Sequence, residues 1–369
     1  MNFEILDLLE DDVEVLEILE VGVPRQIYER KEYFYSFDEL SFYKRFRLTK
    51  DITVNILEQI ESSLECPLNR NNSIAPINQL LVALRFFATG NHLLSIADFG
   101  GMHVSTVSRI VLRVSTALAR LGVNYIKFPE TTSDILKTKR EFFDIASFPN
   151  VISAVDGTHV RIQSPGGLDA EVFRNRKSYF SVNVQAACNA KMIFTNVVAR
   201  WPGSTHDATI FNNSSLRAVF EGDSFMNVDG FILGDSAYPQ KTYLMTPLLN
   251  PRTSAEQLYN ESQIRSRGVI EKAFGILKRR FPVLAYGVRL KLSTVLSIIV
   301  ATCVLHNILR QNGIMDESPE SLDFSEEDLQ NAITSGQVDN IPYNNSNSTS
   351  NNSGMQKRLH LINNYFARL

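Results

Sequence analysis

Three carboxylates carry the chemistry that this sequence can be expected to perform. Asp156 follows the apolar run VISAV at 151–155, and Asp235 follows GFILG at 230–234, each run bulky enough to be a buried strand. A strand that delivers a carboxylate to the edge of a rigid sheet is a common way to fix a metal ligand. If the two strands are neighbours, the two acids lie side by side. Their mutual repulsion, several kcal/mol in a partly dry site, is relieved when a divalent cation sits between them.

The third acid comes from a helix. The spacing predicts a helix over 264–281 with Ile270, Phe274, Leu277 and Phe281 on its apolar stripe and Glu271, Gly275 and Lys278 on the adjacent one. Glu271 therefore stands at the margin of the core, and Gly275, which costs a helix about 1 kcal/mol relative to Ala, leaves room beside it. Between Arg265 and Lys291, eight basic residues face this single acid, as a phosphate-binding groove with one metal ligand would require; Lys272, Lys278, Arg279 and Arg280 are its candidate DNA contacts. Asp156, Asp235 and Glu271 are thus the candidate catalytic and metal-binding set. Two cations about 3.5 to 4 Å apart can activate a water or hydroxyl and neutralise a leaving oxygen at a phosphodiester. Hard oxygen donors, with no cysteine or paired histidine among them, select Mg²⁺ or Mn²⁺.

The elements that must position these acids divide the chain. Residues 1–145 read as a helical domain, 146–312 as an α/β domain with strands at 151–155, 181–187, 193–199 and 231–233, and 313–369 as a tail. That tail is acidic at 316–328 and Asn/Ser-rich at 344–353, and it regains helical spacing at 355–368. Within the first domain, helices at 78–89, 94–99 and 105–121, separated by Gly90 and the Gly100-Gly101 turn, have the order of a helix-turn-helix over 74–121. Ser105 would cap the third helix, and Ser105, Thr106, Ser108 and Arg109 would face DNA. A helical hairpin packed on the catalytic core has the same pattern. Trp201 and Tyr238 read as packing residues, and His306 as a core histidine in the apolar helix 292–309.

Composition excludes several classes. Net charge is −3, so affinity for a polyanion has to be local. Cys66, Cys188 and Cys303 are too far apart for a zinc ribbon or a disulfide framework, which points to a reducing compartment. The acidic N-terminus is unlike a signal peptide, and Ser, Thr, His and Asn interrupt the most apolar stretch, which argues against a membrane span.

Six blocks, AVDGTHV (154–160), KSYFSVNVQ (177–185), WPGSTHDATIF (201–211), GDSAYP (234–239), RGVIEKAFGILKRRF (267–281) and CVLHNIL (303–309), resemble the Harbinger transposase-derived nucleases. The likeness runs over about 74–309, with 35 residues between Asp235 and Glu271. It implies an RNase H-like fold, a DDE triad on Asp156, Asp235 and Glu271, and Asp207 as a further carboxylate near the metals. It also implies DNA as substrate, a Myb-like partner protein, homo-oligomers, and residence in the nucleus and also the cytoplasm. The residues alone make Asp207 equally a helix cap. His159 and His206 are expected to order loops or support the ligands. An active nuclease and an adaptor that has lost catalysis are the two competing readings. Three intact acids favour the first, because a buried acid cluster without its cation destabilises a fold. A histidine-based phosphohydrolase would need an all-helical domain, and the strands oppose it.

Overall fold

Two strand pairings set the geometry of the molecule. In the computed structural model, which describes residues 32–65, 73–222, 229–314, 326–335 and 351–369, a five-stranded sheet has the order β3-β2-β1-β4-β5. Its strands are β1 (Val151–Arg161), β2 (Ser181–Cys188), β3 (Phe194–Pro202), β4 (Phe231–Leu233) and β5 (Leu244–Met245). The first three are antiparallel neighbours, whereas β4 runs parallel to β1 and β5 parallel to β4, giving the mixed α/β sheet that the apolar runs predict. β1 is longer than its apolar run, because Asp156 to Arg161 continue to pair with β2 after β4 has ended. Asp156 is consequently inside a strand and not at its end.

Eight helices among the described residues precede the sheet: α1 (Tyr33–Ser36), α2 (Glu39–Phe46), α3 (Lys50–Leu64), α4 (Pro76–Thr89), α5 (Leu93–Gly100), α6 (Val104–Arg120), α7 (Gly122–Tyr125) and α8 (Thr132–Ala146). Pro76 opens α4 and Gly90 closes it in the left-handed conformation, φ 63°, where an added Cβ would meet the Val283 backbone at 3.0 Å. The α6 cap is His103, whose ring accepts from the Ser105 backbone N–H, so Ser105 is inside the first turn. Ser105 is also buried, next to His103 and Arg109; this removes it from a DNA-facing role, while Arg109 is exposed.

After the sheet's short α9 (Asp207–Asn212) and α10 (Ser215–Glu221) come α11 (Ser254–Arg280), α12 (Val283–Tyr286), α13 (Leu292–Gln311), α14 (Glu326–Ser335) and α15 (Asn351–Asn364). α11 packs on β1 and β2, and α13 packs on α6 and β3, so one apolar core runs from Phe42 through the sheet to Ile308. By length and apolarity α13 could cross a bilayer, but its side chains are spent on this core. The chain end docks as well, with Phe366 buried against Phe148 and Tyr259. Cys188 and Cys303 are buried free thiols; Cys66 and most of the acidic and Asn/Ser-rich stretches lie outside the described residues.

Asn307 joins the two halves of this core, donating to the carbonyls of Tyr125 and Phe194 and accepting from the Phe194 N–H. Beside it His306 is fully buried, its Nε2 2.8 Å from the Met192 carbonyl, and burial pushes its pKa down from 6.5 to about 3. The unfolded chain binds the proton and the native chain does not. Stability contributed by the neutral ring is therefore complete above pH 6.5 and lost as pH falls toward 3, at about 1.4 kcal/mol per unit. Urea denaturation at a series of pH values should show this slope, and His306→Gln should flatten it by one proton's worth; equal slopes in both proteins would refute the assignment.

Candidate active site

β1 and β4 are in parallel register with Ala154 opposite Leu233, and each strand reaches an aspartate two residues later. Asp235 thereby follows the end of β4 beside Asp156, which stays within β1 and pairs with Ala186 of β2. Asp156 Oδ1 accepts from the Gly157 N–H at 2.8 Å, and Asp235 Oδ1 accepts from that of Ala237 at 3.0 Å. Tyr238 lies beneath, buried edge-on against Phe211, its hydroxyl 3.4 Å from Gln185 Oε1. It is a packing residue, as its apolar surroundings suggest, yet burial and then the charges of Asp207, Asp156 and Asp235 raise its pKa.

Glu271 reaches the same place from α11. That helix begins ten residues before the predicted start, with a capping box formed by Thr253 and Glu256. Its first half carries no apolar stripe because polar side chains bind it to the sheet. Gln263 donates to the carbonyls of Gly234 and Met245, and Asn260 pairs with the backbone of Leu248. One turn before Glu271, Arg267 is almost wholly buried and bridges two of the acids, at 3.2 Å from Asp156 Oδ2 and 2.5 Å from Glu271 Oε1. Sequence reasoning passed over Arg267 as one more member of the basic run. The signal was its i, i+4 spacing from Glu271, which puts both on one helical face.

Burial and charge act together on these acids. Burial raises the Asp156 pKa well above the carboxylate range; Arg267 opposes this, and Asp235 and Glu271 add to it. The Arg267 guanidinium is itself held above its usual value, since the charges of Glu271, Asp156 and Asp235 outweigh its burial. Arg267 thus pairs with Asp156 and Glu271, and the three acids make an all-oxygen donor set of the kind that suits a divalent ion. Among the described residues no three potential ligands stand close enough together to grip an ion as they are placed, and Arg267 spans Asp156 and Glu271.

Asp207 is the first residue of α9 and not its cap; the cap position is His206, which makes no side-chain capping bond. Asn183 donates to Asp207 Oδ1 at 2.9 Å, and the carboxylate lies against Gly157, beside Asp156. His159, hydrogen-bonded to Ser181 Oγ at 3.0 Å, is lowered by burial, although Asp207 pulls the other way. His206 rests against Arg176 at 2.7 Å. Both are supporting side chains, as expected.

The basic residues divide by exposure. Lys278 turns inward, donating to Thr158 Oγ1 at 2.7 Å and to the His159 carbonyl, so it ties α11 to the outer half of β1. Arg280 is buried and donates to the Ile314 carbonyl, which corrects its expected role as a DNA contact. Lys272 is partly exposed and Arg279 is exposed, as a groove wall would require.

Comparison with known proteins places the chain in a family. Residues 155–307 match the family described as DDE superfamily endonuclease. The human protein named "Putative nuclease HARBI1" is 36% identical over 263 residues, covering 70% of this chain and 74% of that one. The chain belongs to the Harbinger transposase-derived nuclease family. Its family likeness extends to the Xenopus laevis protein of the same name, 29% identical over 263 residues with 70% and 75% coverage. It also reaches the Arabidopsis thaliana "Protein ALP1-like", 27% identical over 319 residues with 80% and 77% coverage. No solved structure matches.

A Cβ on Gly157 would come within 2.5 Å of Asp207 Oδ1 and 2.9 Å of its Cγ. Gly157→Ala should therefore cost roughly 1–3 kcal/mol in chemical denaturation. Adding Asp207→Ala should return part of that loss, and strict additivity of the two changes would show that the contact is not the cause.

Proposed function

We propose that this chain is a divalent-metal-dependent DNA endonuclease of transposase descent, with an RNase H-like catalytic domain acting through a DDE triad. The observation that supports it most is the convergence of Asp156, Asp235 and Glu271, from two adjacent parallel strands and one helix, at a place where burial disfavours the charge of Asp156. Asp156, Asp235 and Glu271 would hold Mg²⁺ or Mn²⁺, with Asp207 as a further ligand or support. When bound, the ions supply charge neutralisation at the phosphodiester and an activated water.

The chain's own residues do the remaining work. Arg267 aims Glu271 at Asp156, Gln263 and Lys278 hold α11 against the sheet at either end of the site, and Asn183 sets Asp207. Thr106, Ser108, Arg109, Lys272 and Arg279 are the proposed DNA contacts that remain solvent-accessible. A Myb-like DNA-binding partner, self-association, and residence in the nucleus and also the cytoplasm belong to the same proposal, and the slight net negative charge supports a need for help in finding DNA.

One observation favours an adaptor without catalysis: Arg267 already fills the space between Asp156 and Glu271 with a positive charge. A plasmid-nicking assay separates the readings. With Mg²⁺ or Mn²⁺ the wild-type chain should nick supercoiled DNA, and Asp235→Asn should slow it by about a hundredfold or more. Equal, background-level nicking by both proteins with either ion would leave the adaptor reading standing and end the enzymatic one.

A further inference from the structure

A second cationic site lies in the helical region, on residues that the acid cluster does not use. Arg45 and Arg47 end α2, and Arg85 projects from α4. The Arg45 guanidinium lies over the Phe37 ring at 4.2 Å and that of Arg85 over Phe99 at 5.3 Å. Both rings stack on Tyr33, at 5.9 and 4.2 Å between centroids, and both lean on Phe46, at 6.3 and 6.2 Å. The two cations are therefore held over one aromatic cluster. Lys50 adds a third over Phe34 and Phe42 of the same cluster.

The guanidiniums are tied only weakly to their own protein. Arg45 donates to the Ser41 carbonyl at 3.0 Å, and Arg85 reaches the Arg45 carbonyl at 3.4 Å. Arg47, at φ 64°, closes the helix through its backbone, and its Nε is buried with no hydrogen-bond partner. Among the described residues no carboxylate forms an ion pair with Arg45, Arg47 or Arg85. Burial first, and then the charges of Arg45 and Arg47, hold Arg85 below its usual pKa. Gathering like charges without an internal acid is unfavourable unless an anion completes the set.

We propose that Arg45, Arg47 and Arg85 form a phosphate clamp that grips the sugar–phosphate backbone of duplex DNA away from the acid cluster. Planar guanidiniums fixed by stacking present their N–H edges as forks that match phosphate oxygens with little ordering left to do. Three guanidiniums gathered without an ion-pairing acid suit the closely and regularly spaced charges of a nucleic-acid backbone. The clamp shares its ligand class with the proposed nuclease but none of its chemistry.

The test is fluorescence anisotropy of a labelled duplex of arbitrary sequence with the full chain, titrated with salt in EDTA, so that no cleavage enters. Arg45→Gln/Arg85→Gln should weaken binding about tenfold and reduce the slope of log affinity against log salt by about 2. Arg45→Lys/Arg85→Lys should keep the slope and lose only part of the affinity, since charge remains while stacking is lost. Circular dichroism checks that each variant folds; should the Gln pair fail, Arg47→Gln, whose side chain makes no hydrogen bond, should lower the slope by about 1. An unchanged affinity and slope in a folded variant would overturn the clamp. So would displacement of the duplex by an acidic peptide at equal charge concentration.

Discussion

Everything at the centre of this molecule answers to one electrostatic constraint: three carboxylates meet at one place, and burial makes the charge of one of them, Asp156, costly there. The fold meets part of that demand with Arg267, whose guanidinium is buried to 1% exposure between Asp156 and Glu271. Arg267 and Glu271 are one helical turn apart, so the counter-charge arrives on the same rigid element as the third acid. The cost of burying the Asp156 charge is the physical basis for proposing a divalent ion, and it is also what an adaptor would have to tolerate for no return.

Holding that arrangement requires a stiff frame on every side. The parallel register of β1 and β4 sets where two acids emerge, and the early end of β4 opens the space between them. Polar side chains along α11 supply the orientation of the third, by bonding to strand ends that would otherwise carry bare backbone carbonyls. Behind them a continuous apolar core joins the N-terminal helices to the sheet through α13, and the docked chain end presses Phe366 onto the first half of α11. Displacement of any of these parts would reach the acids through the helix or the strands.

Much of this frame was legible in the residues. The apolar runs before Asp156 and Asp235 announced buried strands, and parallel pairing of those strands puts the two acids side by side. The apolar period after residue 264 announced the second half of α11 but not the first, where Tyr259, Asn260 and Gln263 are buried by hydrogen bonding and packing and not by an apolar stripe. For the same reason β1 was read too short: its outer half is only half-buried and polar, and it is held by pairing with β2 and by Lys278. Inward-turned cations were the least legible feature. Lys278 and Arg280 look in sequence like the rest of a basic groove, and only the packing of α11 shows that they are committed to protein carbonyls and a hydroxyl. Ser105 was misplaced because a helix-capping residue was sought among Ser and Thr, whereas a histidine ring took the role.

The central claim is that Asp156, Asp235 and Glu271 take up a hard cation, which offsets the cost of the buried Asp156 charge. Calorimetric titration with Mn²⁺, run in mildly acidic buffers of differing ionisation heat, measures both uptake and the protons it displaces. The account predicts binding coupled to proton release, because burial raises the Asp156 pKa in the ion-free protein and a bound cation would lower it. Asp156→Asn should abolish that proton release, and Glu271→Gln should weaken binding. No Mn²⁺ uptake by the wild-type chain, or uptake unaltered by both substitutions, would contradict it.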